Sequence, residues 1–416
     1  MIARYLIQVI GAEAGRPAVL HRGEPLREGY VEAGRFSAPN SGQSHIIMNT
    51  EICDRLGIEF PIFAFSHCRD VVAAVTSAGG FGVLGATAHS PRALETDLAW
   101  IDEQVHGKPY GVDLLLPAKY ADTASQASEH GLPPAHEAFV EDLLARYGVP
   151  ELPEHIHATS GSISVSPQAA DSQLDVAFGH PIRLVASALG PPPASLVSRA
   201  HAHGVVVAAL VGTAEHARRQ QAAGADLIVA QGTEAGGHTG TVSTMVLVPE
   251  VIRAVSPTPV LAAGGIVTGA QIAAAMALGA QGVWCGSVWL TTQEAETHPS
   301  VQQKMLAATS SDTVRSRSLT GKPARMLRSA WTDEWDEDQA PAPLQMPLQT
   351  MLTAAAQQRI NRHASAEGSG AHQLATYFVG QGVGLLDKVR PARQVVEQMV
   401  TDYLAVAERF AAQLEV

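Results

Sequence analysis

From Pro61 onward the chain alternates between short β-branched or apolar runs and longer Ala-rich stretches whose apolar positions recur at helical spacing. The short runs read as strands at Ile62–Phe65, Phe81–Ala86, Tyr110–Leu116, Ile182–Leu189, Val205–Val211, Ala225–Gln231, Pro259–Ala263 and Gly282–Cys285. Helices are predicted between them at Arg69–Ala78, Pro91–Val105, Ala194–His203, Thr213–Ala223, Leu247–Val255 and Gly269–Leu278. Strands that alternate with helices imply a parallel sheet. Eight of them imply an α/β fold of the closed (β/α)8, or TIM, barrel type, in preference to an open doubly wound sheet.

Two parts break the rhythm. Residues 117–180 hold one clear helix, His136–Tyr147, among Pro, His, Ser and acidic residues, and form an insertion after strand three. Residues 291–416 follow strand eight as a mostly helical C-terminal extension ending in an amphipathic helix at Gln394–Leu414, which either covers the barrel or makes a homo-oligomer contact. Residues 1–47 lack any period and read as a poorly ordered leader, with the barrel spanning 48–290.

Composition narrows the function classes. The chain has 416 residues, of which 46% are hydrophobic and 16% charged, a balance that suits a large core and excludes wholesale disorder. Its formal charge of −12 argues against a nucleic-acid partner. No apolar run is long enough for a spanning helix, so no membrane partner is expected. The three cysteines are odd in number and lack CxxC spacing. Neither a disulfide framework nor a metal site is expected, and the reading is cytoplasmic.

In such a barrel the chemistry sits on loops after the C-terminal ends of the strands. The loops after strands seven and eight read LAAGGIVTGAQ and WCGSVW. Adjacent glycines before a helix let backbone N–H groups approach an anion, so Gly264, Gly265, Gly286 and Ser287 are candidate phosphate ligands. After strand six comes VAQGTEAGGHTG. Gln231 can donate and accept toward a ring edge, Gly236 and Gly237 leave room for a flat ligand, and His238 offers an imidazole for proton transfer. His201 and His203 fall on different helix faces, and Trp331 with Trp335 reads as a packing stripe. No strand carries the lysine that a Schiff-base barrel enzyme would need.

QGTEAGGHTG, LAAGGI and the following GS pair, together with IEFPIFAF…AAVTSAGGFGVLGA and YGVDLLL, resemble the nitronate monooxygenase (2-nitropropane dioxygenase-like) family over roughly 50–290. The resemblance implies an FMN-dependent TIM barrel that oxidises alkyl nitronates, or nitroalkanes, with dioxygen to a carbonyl compound and nitrite. Flavin-dependent NAD(P)H enoyl-thioester and quinone reductases are the alternative within the same superfamily. It further implies that His238 is the base or substrate-positioning group, that Gln231 and Gly236 flank the isoalloxazine, and that Gly265 with Trp284, Cys285, Gly286 and Ser287 holds the FMN phosphate. The chain departs from the pattern twice. Asp113 stands where the family usually has Asn; an ionised carboxylate accepts but cannot donate, so either its contact with the flavin differs or it is protonated. Phe65-Ser66-His67-Cys68 replaces the family's Pro-Met turn, which makes His67 a candidate second proton-transfer group and brings Cys68 near the mouth.

Overall fold

A computed structural model describes residues 48–87, 89–115, 131–152, 167–188 and 190–414. The leader assigned to 1–47 lies outside the described residues, as do residues 117–130 and 153–166 of the insertion. Six parallel strands come first: β1 (Ile62–Ser66), β2 (Phe81–Gly85), β3 (Gly111–Leu115), β4 (Leu184–Ala188), β5 (Val206–Val211) and β6 (Leu227–Gln231). A two-residue strand β7 (Gly237–His238) follows, then β8 (Val260–Ala263) and β9 (Gly282–Cys285). The sheet closes as β1-β2-β3-β4-β5-β6-β8-β9, with β9 pairing back onto β1 through Phe63 and Trp284. The fold is a (β/α)8 barrel and not an open sheet.

The register explains why both faces of each strand are apolar. Phe63, Phe81, Val83, Leu184, Ala186, Ala208, Leu227, Val229, Leu261, Ala263 and Trp284 fill the barrel interior. The alternate positions, among them Ala64, Ala209, Ile228, Ala262 and Cys285, pack against Val71, Leu247, Val251 and Ile272 of the surrounding helices. A strand covered by protein on both sides has no polar face to show, hence the near-continuous apolar runs. Helix Glu51–Leu56 closes the N-terminal end with Ile52 and Leu56, and Thr50 Oγ1 donates to the Gln281 carbonyl just before β9.

The C-terminal helix Ala392–Leu414 packs on the barrel helix Gly269–Ala277. A Cβ on Gly269 would collide with the Met399 carbonyl, so the missing side chain sets how closely the two helices cross. The extension also carries β10 (Thr313–Ser316) and β11 (Ala324–Leu327), which the helical reading of 291–416 did not anticipate. They run antiparallel, and β11 pairs in turn with β7. Helix Pro134–Arg146 of the insertion contributes Val140, Leu143 and Leu144 to one hydrophobic core with Met326, Trp331, Trp335, Ile360 and Leu374 of the extension. The two interruptions of the barrel therefore fold on one another. The Trp331 and Trp335 rings lie 6.0 Å apart inside that core, as a packing stripe should.

Candidate active site

The β7–β11 pairing fixes the loop after β6. His238 stands opposite Ala324 and Gly237 opposite Arg325, so the imidazole shares a sheet face with the buried Ala324. Arg325 Nε donates to the Thr233 carbonyl at 2.8 Å and Arg315 Nη2 to the Thr239 carbonyl at 3.1 Å, which clamps both flanks of the loop to the extension. His238 Nε2 lies 2.9 Å from Thr320 Oγ1, and the Phe378 ring is 6.3 Å away. Burial, then the Lys322 ammonium, pushes the imidazole down to about 4. It is therefore neutral through the physiological range and presents a lone pair rather than a charge.

Two glycine turns sit on the neighbouring strands β8 and β9, where Ala263 faces Trp284. Gly264 and Gly265 have φ of 114° and 72°, a conformation that an L side chain resists. Gln271 Nε2 donates to the Gly265 carbonyl at 2.7 Å, and Thr244 Oγ1 lies 3.1 Å from the Gly264 carbonyl oxygen. The Gly265 carbonyl is thus engaged. Among the described residues, the N–H groups of Gly265, Ile266, Gly286 and Ser287 donate to no protein acceptor. A Cβ built on Gly286 meets nothing within 4 Å, so open space adjoins the second turn. Free amides beside open space are what an anionic group requires, and the two turns fit a cofactor phosphate on that ground.

A segment that the sequence reading passed over binds these parts together. Gly380, Gln381 and Gly382 run between the loops: the Gly380 N–H donates to Ser287 Oγ at 2.8 Å and the Gln381 N–H to the Glu234 carbonyl at 2.8 Å. Side chains would not fit here. A Cβ on Gly236 would stand 2.9 Å from the Gly380 nitrogen, and one on Gly382 would stand 2.8 Å from the Gly265 carbonyl oxygen. The alternating glycines of GQGVG, residues 380–384, were the available signal. Glu234 is a second omission: its carboxylate accepts from the Thr244 N–H and Oγ1 at 2.9 and 2.8 Å, which caps the helix Thr244–Val255 beside Gly264.

Asp113, in the middle of β3, and Gln231, at the C-terminal end of β6, also face the barrel interior. Asp113 is 5% exposed and accepts no hydrogen bond among the described residues, and burial pushes its carboxyl up to about 7. In the unfolded chain the same group titrates near ~4. Between those values the folded chain keeps a proton that the unfolded chain has lost, so this carboxyl costs least at pH 4 and most above pH 7. Asp113→Asn keeps the shape without the charge. It is expected to stabilise the apoprotein by roughly 2–4 kcal/mol at pH 8 and to leave it nearly unchanged at pH 4. Urea unfolding at both pH values checks this; equal effects at the two would refute it.

The other candidates separate on geometry. Trp284 points into the barrel, stacked 6.1 Å from Phe63 and 6.2 Å from Phe65. Cys285 is its neighbour on the opposite pleat. The thiol lies among helix-facing residues, pushed up to about 12 by burial, so any cofactor contact there is made by backbone. His67 Nδ1 donates to the Gly85 carbonyl at 2.7 Å, and the ring occupies the space a side chain at Gly85 would need. Cys68 Sγ donates to the Glu294 carbonyl at 3.0 Å and is likewise pushed up to about 12, mainly by burial, which makes it a poor nucleophile. His201 pairs with Asp226, whereas His203 bonds the Arg199 carbonyl. They share no ligand.

A family model described as nitronate monooxygenase matches residues 49–402. The chain belongs to the nitronate monooxygenase family. As a member it is a flavin-dependent oxidoreductase. It is 65% identical to Rv1533 of Mycobacterium tuberculosis, named as a candidate monooxygenase, over 86% of this chain and 97% of that protein. It is 27% identical to a probable nitronate monooxygenase of Staphylococcus aureus strain Newman over 83% of this chain and 94% of that one. Among solved structures, the nitroalkane oxidase of Streptomyces ansochromogenes superposes with a TM-score of 0.71 at 25% identity, covering 86% of this chain and 99% of its own. FabK of Thermotoga maritima superposes at 0.66 with 27% identity, covering 88% and 99%. No described helix is long and apolar enough to cross a membrane.

Proposed function

We propose that this member of the nitronate monooxygenase family binds FMN and oxidises alkyl nitronates, or nitroalkanes, with dioxygen to a carbonyl compound and nitrite. The observation that carries the reading is the pairing of two glycine turns bearing unclaimed N–H groups with an anchored, neutral imidazole on the loop after β6. Gly264, Gly265, Gly286 and Ser287 would hold the phosphate; the Trp284 and Cys285 backbone leads into that turn. Gln231, Gly236, Gly237 and Asp113 would line the isoalloxazine, with Asp113 donating in its protonated form. Bound flavin supplies the one- and two-electron chemistry with oxygen. The protein supplies the rest. His238 takes the α-proton of a neutral nitroalkane, and the negative charge that grows on the nitro group raises the basicity of the imidazole as the proton arrives. A nitronate enters already deprotonated and needs only to be held.

The same site can serve an NAD(P)H-dependent enoyl-thioester or quinone reductase, a reading favoured by the similarity to FabK and by Ser66-His67-Cys68 after β1. Purified protein is expected to be yellow and to release FMN on denaturation; protein that stays colourless after reconstitution with FMN overturns both readings. Anaerobic mixing then separates them. Rapid bleaching by NAD(P)H with nitronates inert would identify the reductase, and bleaching by nitronates alone the oxidase.

A further inference from the structure

The imidazole of His238 is held by a hydroxyl whose every hydrogen-bonding capacity is spoken for. Thr320 is fully buried in the turn between β10 and β11. Its Oγ1 donates to the Lys322 carbonyl at 3.0 Å and accepts from the Lys322 N–H at 3.2 Å. A threonine hydroxyl has one proton and two lone pairs. With the proton on the Lys322 carbonyl and one lone pair on the Lys322 N–H, only a lone pair remains for the imidazole 2.9 Å away. On that assignment of the hydroxyl proton, Nε2 is the protonated nitrogen and Nδ1 carries the lone pair. The β7–β11 register holds this arrangement, since Ala324, two residues past the turn's Lys322, pairs directly with His238.

We propose that Thr320 is a positioning residue for His238: the hydroxyl selects the Nε2–H tautomer and turns Nδ1 into the proton-accepting atom. Turning the ring to use Nε2 as base would set a lone pair against a lone pair at Thr320, or break the turn that the hydroxyl closes. The extension thereby acts on the chemistry of a barrel loop 82 residues away in sequence. The catalytic part of this inference rests on the reading of His238 as base, whereas the tautomer itself does not.

Long-range proton–nitrogen NMR of the full chain labelled with nitrogen-15 histidine tests it, with the His238 signals assigned by their loss in His238→Gln. The wild type is expected to show a protonated, pyrrole-type Nε2 and an unprotonated, pyridine-type Nδ1. Thr320→Val should give a mixture of tautomers, and Thr320→Ser should restore the single form. A wild-type Nδ1–H, or a Thr320→Val spectrum identical to wild type, overturns the proposal. If Thr320→Val does not fold, the wild-type and Thr320→Ser spectra still decide it, because both must show Nε2–H. In turnover, Thr320→Val should slow a neutral nitroalkane by roughly five- to tenfold, the factor one net hydrogen bond supports, with the nitronate rate held and Thr320→Ser rescuing. Enzyme inert toward both substrates, with the tautomer as stated, would instead remove the oxidase reading and leave the positioning role of Thr320 standing.

Discussion

Replacing His238 with alanine is expected to slow turnover of a neutral nitroalkane by roughly 10²–10⁴-fold, while turnover of the preformed nitronate falls by no more than about tenfold. The asymmetry follows from the proton. A nitroalkane must lose its α-hydrogen to a base at the site, whereas a nitronate has lost it in solution. Burial and Lys322 keep the imidazole neutral down to about pH 4, so the base form is present at any working pH. The acid limb of the nitroalkane pH profile should therefore begin near 4 rather than near the usual histidine value of about 6.5. Oxygen consumption with each substrate form, the nitronate prepared in alkali and added last, measures both quantities. Equal losses on the two substrates would assign His238 to binding alone.

The barrel was legible because its strands are buried on both faces, and all eight runs read from the sequence recur as β1–β6, β8 and β9. The same alternation could have divided the site further. If Trp284 faces the barrel interior, the next residue must face the helices, and Cys285 does. What the sequence concealed depends on distant pairing. β7 is two residues long and β11 four, too short for a period to register, and their partnership spans more than 80 residues. Thr320, Arg315 and Arg325 therefore carry no local signal; only the register brings them to the histidine loop. GQGVG after Val379 went unread for a related reason: glycine records only that something comes close, not what. Helix Pro167–Phe178 escaped notice because PQAADSQLDVAF carries no sustained apolar stripe.

Gly286→Asp is expected to leave the apoprotein folded and to weaken FMN binding by about 100-fold or more. Gly286 precedes the short 3-10 helix Ser287–Thr291 as its N-cap, with φ −122° and ψ −59°, a backbone that demands no glycine. Aspartate is a favoured N-cap residue, and a Cβ there meets open space, so stability should hold or rise slightly. The new carboxylate would lie where the turn's N–H groups await an anion and would repel a phosphate from the same place. Loss of two charge-assisted hydrogen bonds costs about 3–6 kcal/mol, which is the source of the expected factor. Gly264→Val provides the contrast. With φ at 114° and Thr244 Oγ1 2.7 Å from the added Cβ, it should lower the melting temperature as well as the affinity. Fluorescence titration of apoprotein with FMN and with riboflavin separates charge from shape. Gly286→Asp should spare riboflavin, which has no phosphate. Wild-type FMN affinity in this variant, or an equal loss for both flavins, would place the phosphate elsewhere and detach the two glycine turns from the cofactor.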